Sequence, residues 1–246
     1  MKAMIFAAGK GERLRPVTDT LPKALVSVAG RPMIEYPMLL LRHYGIREIV
    51  INLHHLGEQI EAHLGDGAKL GLKISYSKER VLLDTGGGLL KARPFFQDET
   101  FIVVNTDVLI DLPLSELIAF HRQNRATATL VLRPDPLADQ YGSIDIDPDG
   151  RIDRFLQAER PGATSVEVTK LMFTGVQILE PRIFEFMNHA AVQKFSTTKD
   201  TYPRMLLAGE SLYGLRFDGL WQDLGTIERI KKAQTSLALA GRLHYL

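Results

Sequence analysis

"MIFAAGKGERLRPVTDTLPKAL", residues Met4 to Leu25, begins as a short apolar run and passes at once into a glycine turn crowded with cations. Met4 to Ala8 reads as a buried first strand. Gly9 and Gly11 let backbone amides approach an anion, because no side chain stands in the way and a positive φ costs glycine little. Lys10, Arg13, Arg15 and, past a proline-bounded turn, Lys23 add positive charge to the same strand end. A strand that empties into such a loop predicts an α/β domain whose ligand lies outside the carboxyl ends of its strands.

Working outward, apolar strand-like runs alternate with helical ones through the first half, the pattern of a parallel sheet covered by helices. Arg31 to Tyr44 reads as a helix with Pro32 in its first turn and Gly45 at its end. "EIVINL" (48–53) reads as a strand, and "LGEQIEAHLG" as an amphipathic helix with Leu56, Ile60 and Leu64 on one face. "LKISYS" (72–77) alternates like another strand, and "DTGGGLLKA" (84–92) reads as a glycine turn running into a helix. "FIVVNTD" (101–107) is a buried strand that ends in polar residues.

The second half changes character. "YGSIDIDPDGRIDRFLQ" reads as a hairpin about Pro148, Asp149 and Gly150. "KLMFTGVQIL" is a further strand, two helices follow, and "LYGLRF" precedes "WQDLGT" and a closing helix, Ile227 to Leu239. Without a linker or an internal repeat, the expected organisation is one domain, 1–246, with an elaboration over about 133–220.

The 30 basic and 29 acidic residues leave a net charge of +1, so no chain-wide field attracts nucleic acid or acidic lipid. The absence of cysteine excludes disulfides, thiolate metal sites and a cysteine nucleophile. The seven histidines show no metal-ligand spacing. No tract is long enough to cross a membrane, and the N-terminal run lacks the apolar length of a signal peptide, so a cytoplasmic location is expected.

The opening loop lacks the third glycine of a dinucleotide fingerprint, position 14 being leucine, and no GKS or GKT follows the glycines. Its cations suit a triphosphate, although each one alone reads as surface decoration. Asp107 reads either as a strand-terminating turn residue or, if a triphosphate brings a hard cation, as its carboxylate ligand. Asp223 reads as a helix-capping residue or as a second such ligand. Asp84 to Gly88 reads as a plain turn or as a backbone wall for a nucleobase, with Asp84 accepting a hydrogen bond from a ring N–H. Glu159 and Arg160 read as an adjacent acid/base pair, on the surface or facing sugar hydroxyls and a phosphate.

"AAGKGERLRPVT" followed by "LPKALVSVAGRPMIEY", with "TGGG", "VNTD", "YG", "FTGV" and "WQDLGT" further on, resembles the sugar-1-phosphate nucleotidylyltransferases over nearly the whole chain. The resemblance implies a nucleotide-diphospho-sugar transferase fold, a Rossmann-like three-layer α/β/α sandwich. It implies an enzyme that makes an NDP-sugar and pyrophosphate from an NTP, UTP first and GTP next, and a sugar 1-phosphate, for cell-envelope polysaccharide. The first half is most similar to members acting on N-acetylmuramate 1-phosphate, and the second half to members acting on hexoses such as mannose or glucose. The alternative is a non-catalytic nucleotide-sugar-binding regulatory protein.

Position by position, the resemblance implies that Arg13, Lys23 and Asp107 are catalytic. Ala7, Ala8, Gly9, Gly11, Asp84, Thr85, Gly86, Gly87, Gly88 and Asn105 would bind the nucleotide. Tyr141, Gly142, Glu159, Arg160 and Gly175 would face the sugar, and Asp107 and Asp223 would hold Mg2+. Two positions depart from the family pattern: Thr106 stands where a glycine is usual before the metal aspartate, and Arg160 where a lysine is usual. No acetylating activity is expected, and a homodimer is one candidate assembly.

Overall fold

The computed structural model describes residues 1–136, 138, 142–163, 168–187, 193–240 and 243–246. In chain order the strands are β1 (Lys2–Phe6), β2 (Ser27–Val28), β3 (Arg31–Pro32), β4 (Glu48–Leu53), β5 (Lys73–Lys78), β6 (Phe101–Asn105) and β7 (Val108–Ile110). They continue with β8 (Ala128–Arg133), β9 (Ile144–Ile146), β10 (Ile152–Phe155), β11 (Ala158–Glu159), β12 (Thr169–Leu179), β13 (Leu212–Arg216) and β14 (Trp221–Asp223). The α-helices are α1 (Glu35–His43), α2 (Gly57–Leu64), α3 (Asp84–Phe96), α4 (Leu114–Gln123), α5 (Tyr202–Leu207) and α6 (Ile227–Ala240). The fold is therefore α/β, with a mixed parallel and antiparallel sheet content. Two compact units divide the chain: Met1–Leu82 with Val104–Leu112 and Gly219–Leu246, and Leu83–Val103 with Pro113–Asp218.

In the first unit β1, β4 and β5 run parallel, with Ala3 opposite Ile49 and Glu48 opposite Lys73. Ala3–Ile5 of β1 and Ile49–Leu53 of β4 are buried on both faces, as central parallel strands require, whereas β5, at the sheet edge, buries only Ile74. Pro32 does not start a helix here. Ala29 and Gly30 both take positive φ, the turn that twists two short strands into a hairpin, so Arg31 and Pro32 pair with Ser27 and Val28 and α1 begins at Glu35. The apolar side of α1, with Tyr36, Leu39 and Leu40, is buried, and the Tyr36 hydroxyl donates to the Val28 carbonyl at 2.6 Å. Further along, β7 and β14 form an antiparallel ribbon with Asp223 opposite Val108.

In the second unit β12 pairs antiparallel with both β8 and β9, β13 runs parallel to β8, and the expected hairpin is β9–β10. The rings of Phe96 and Phe101 stack at 3.9 Å and Phe184 lies 5.8 Å from Phe101, an aromatic centre for this core. Buried His121 donates from Nε2 to Glu180 at 3.1 Å and accepts the Thr129 hydroxyl at Nδ1, 2.8 Å away. Burial lowers its pKa, and the hydrogen bond and charge of Glu180 only partly offset that. "TGGG" is not a turn ahead of a helix: it lies inside the first turns of α3.

Candidate active site

The cationic loop leaves β1 through Ala7, whose amide donates to the Asn52 side chain at 2.9 Å. Asn52 is buried at the end of β4 and donates in turn to Glu79 beyond β5, at 2.7 Å. Three strand ends thus share one polar network, which fixes where the loop starts. Gly9 takes no left-handed conformation, and a Cβ placed on it would meet nothing within 4 Å. Its missing side chain serves neither backbone geometry nor packing, and leaves the space above the loop open to a ligand. Gly11 is different, with φ at +66° and a carbonyl that accepts the Thr18 hydroxyl at 2.8 Å. A Cβ there would stand 2.9 Å from the Lys23 Cβ and 2.9 Å from the Thr18 Cγ2.

Thr106 and Asp107 connect β6 to β7. The Thr106 backbone needs no positive φ, so a glycine is not required. Its hydroxyl donates to the Phe6 carbonyl at 2.7 Å, tying the Asp107 turn to the end of β1. Asp107 is ion-paired with Lys23, and both side chains remain about one-fifth exposed, at 23% and 18%. The β7–β14 ribbon returns Asp223 beside this turn, where the Leu224 amide donates to the Asp107 carbonyl at 2.9 Å.

Asp223 Oδ1 accepts the Gly225 amide at 2.5 Å and Oδ2 is ion-paired with Arg229. The space that a Cβ on Gly225 would need is taken by the Arg13 guanidinium and the Asp223 carboxylate. Arg13, Lys23, Asp107, Asp223 and Arg229 therefore gather in one unit: two carboxylates among three cations. Arg15 pairs with Asp19 at 3.2 Å on the exposed surface and stands outside this cluster.

Among the described residues no group of three His, Cys, Asp or Glu side chains could hold a metal ion. Two carboxylates suit Mg2+ nonetheless, because that ion completes its octahedron with water and substrate phosphate oxygens rather than with a protein cage. Asp107 and Asp223 would be its protein ligands, and the chemistry supplied would be charge neutralisation on phosphoryl oxygens.

In the second unit, Asp84 lies exposed at the start of α3 with φ at +62°, and its Oδ1 accepts the Thr85 amide at 2.7 Å. The Gly86 and Gly87 amides donate to the Phe195 carbonyl at 2.9 and 3.3 Å. Side chains at these glycines would collide with the Phe195 ring and the Gln193 carbonyl. Both glycines therefore serve close packing against 193–197, where the Thr197 amide also donates to the Thr85 hydroxyl at 3.0 Å. Gly88 is buried on the same helix.

Tyr141 lies outside the described residues. Gly142 has φ at +92°, and Gly175 has φ at +90° at a register shift in β12, where the Thr174 hydroxyl donates to the Val131 carbonyl at 2.8 Å. Glu159 and Arg160 do not pair with each other. Exposed Glu159 accepts from Arg154 at 2.6 Å, whereas Arg160 is drawn in to Asp153, with Nε 3.0 Å from Oδ1.

Arg229, Gly225 and the Asn52–Glu79 link escaped the reading of the sequence. One signal was available: a cation in the first turn of a helix opposes the helix dipole, so Arg229 at the third position of α6 called for a specific partner. Asn52 inside the otherwise apolar run Ile49 to Leu53 was a second such signal.

The nucleotidyl transferase family model matches residues 2–239. The chain is 39% identical over 248 residues to the N-acetylmuramate alpha-1-phosphate uridylyltransferase of Neisseria meningitidis, covering 98% of this chain and 99% of that one. It is 35% identical over 240 residues to the UTP–glucose-1-phosphate uridylyltransferase of Synechocystis, covering 92% of this chain but spanning only 61% of that relative's length. Several mannose-1-phosphate guanylyltransferases match over a similar share of their length, among them one from Danio rerio, 33% identical and 61% spanned. The crystal structure of HddC from Yersinia pseudotuberculosis complexed with GMP-PN shares the fold, with a TM-score of 0.76 at 24% identity, 96% of this chain and 99% of that one.

Proposed function

Because the chain belongs to the nucleotidyl transferase family, we propose that it transfers the nucleotidyl group of an NTP to a sugar 1-phosphate and releases pyrophosphate. UTP with N-acetylmuramate 1-phosphate is the preferred pair, since the Neisseria relative of that name aligns over almost the full length of both chains. GTP or UTP with mannose or glucose 1-phosphate follows, from relatives of which this chain spans 61%. The product would be an NDP-sugar made in the cytoplasm for the cell envelope.

The observation that carries the reading is the convergence of Arg13 and Lys23 on Asp107 and Asp223. In the proposed reaction a sugar-phosphate oxygen forms a bond to the α-phosphorus, and the bond from that phosphorus to the bridging oxygen breaks. The electron pair leaves with pyrophosphate. The nucleophile is anionic at neutral pH, so the reaction asks the protein for alignment and charge compensation rather than a general base. Arg13 and Lys23 would compensate the departing charge, and Ala7, Ala8, Gly9, Gly11 and Asn105 would receive the nucleotide. Asp84 and Thr85 would meet the base, while Tyr141, Gly142, Glu159, Arg160 and Gly175 would face the sugar. The segment 133–220 is then a sugar-binding elaboration of one catalytic domain.

A homodimer draws no support from the apolar face of α1, which is buried in the folded chain. Among the described residues no helix is long and apolar enough to cross a membrane. The test is pyrophosphate release with Mg2+ across UTP, GTP, CTP, ATP and dTTP against N-acetylmuramate, mannose, glucose and N-acetylglucosamine 1-phosphates. One strongly preferred pair supports the reading. Nucleotide binding without turnover in any pair would favour a regulatory binding protein instead.

A further inference from the structure

We infer that Arg229 is an internal competitor for the divalent cation at Asp223, so that the carboxylate pair accepts the ion only as Arg229 lets go. The inference rests on the proposed role of Asp107 and Asp223 as cation ligands. Both oxygens of Asp223 are engaged by protein donors, Oδ1 by the Gly225 amide and Oδ2 by Arg229. A cation that takes Oδ2 as a ligand meets the guanidinium already there.

Helix formation does not explain why Arg229 occupies this position. Its charge faces the positive end of the α6 dipole, an unfavourable place for a cation. The helix start has its own cap: the Arg229 amide donates to the Thr226 hydroxyl at 3.3 Å and the Ile230 amide to the Thr226 carbonyl at 3.0 Å. Acidic Glu228 in the same turn already complements the dipole. What Arg229 adds is a counter-charge for Asp223, as Lys23 is for Asp107. With no cation bound, both carboxylates are thereby neutralised, and binding favours an ion that arrives with the phosphates of the nucleotide. The Asp223 and Arg229 side chains are 24% and 34% exposed, open enough for the exchange.

The test is Mn2+ binding to the full chain without nucleotide, read as loss of the free-ion signal in electron paramagnetic resonance. Arg229→Gln is expected to bind Mn2+ about fivefold more tightly than wild type, the scale of one partly exposed ion pair. Arg229→Lys should return affinity to the wild-type value, and Arg229→Met carries the same expectation as Arg229→Gln should that variant fail to fold. Unchanged or weaker binding in the neutral variants overturns the inference while leaving the cation site standing. Combining Arg229→Gln with Asp223→Asn should abolish the gain; a gain that survives would overturn Asp223 as the ligand, and the inference with it.

Discussion

Replacing Gly11 by alanine probes the loop at its tightest point, and Gly30 supplies the control. Both residues have positive φ, +66° and +80°, but a Cβ on Gly30 meets nothing within 4 Å, whereas one on Gly11 presses on the Lys23 Cβ and Thr18 Cγ2. The left-handed backbone costs alanine roughly 1–2 kcal/mol. Reduced freedom of the unfolded chain returns ~0.4–1 kcal/mol of that. Gly30→Ala should therefore lose about 1 kcal/mol. Gly11→Ala adds an overpacking cost of ~1–3 kcal/mol, for a total of about 2–4 kcal/mol. On Lys23 the atom that must yield is Cβ, the root of the side chain, so relief displaces Lys23 from the position in which it pairs with Asp107. Displacements of this kind cost up to ~100-fold in rate, so kcat of Gly11→Ala should fall roughly 10- to 100-fold while Gly30→Ala stays within about twofold of wild type. Urea unfolding and pyrophosphate release measure the two effects. Equal stability losses in the two variants, with full kcat for Gly11→Ala, would refute the assignment of Gly11 as the spacer that sets Lys23.

Asp107→Asn should lower turnover at least about 100-fold with the fold retained, and Lys23→Ala should lower kcat without raising the apparent KM for the sugar phosphate. Steady-state kinetics checks both, and a near-wild-type rate in either removes that residue from the chemistry. Asp84→Ala should broaden the choice of NTP in a competition assay; an unchanged preference would assign base reading to other groups. His121, held neutral by burial and ordinarily titrating at 6.5, is protonated more readily in the unfolded chain. Its contribution to stability is therefore full above pH 6.5 and declines as the pH falls toward the depressed folded value, by at most ~1.4 kcal/mol per pH unit. Urea unfolding between pH 7.5 and 5 in wild type and His121→Gln reads this as a flatter profile in the variant, in buffers spanning about that range.

Much of this architecture was legible because local and tertiary preferences agree. "EIVINL" is a strand over the residues its apolar run marks, and Pro148 to Gly150 turns a hairpin. Failures came where long-range contacts outweighed local chemistry. Pro32 resembles a helix start, but the turn at Ala29 and Gly30 commits it to a strand; "TGGG" resembles a turn, but Phe195 and Gln193 press on it so closely that only glycines fit inside that helix. In the site, the cationic loop and Asp107 could be found from the loop and the strand end that carry them. Arg229 could not be paired with Asp223 before the three-residue return from β14 into α6 was known, and Arg160 showed its charge without showing that Asp153 claims it.

Phosphorus-31 NMR of one reaction tests nucleotidyl transfer to a sugar phosphate most closely. With UTP, N-acetylmuramate 1-phosphate and Mg2+, a new pyrophosphate diester and free pyrophosphate should appear in equal amounts, and neither product when either substrate is omitted. Pyrophosphate or phosphate released from UTP alone, or no diester with any of the NTP and sugar 1-phosphate pairs while the nucleotide binds, would contradict nucleotidyl transfer.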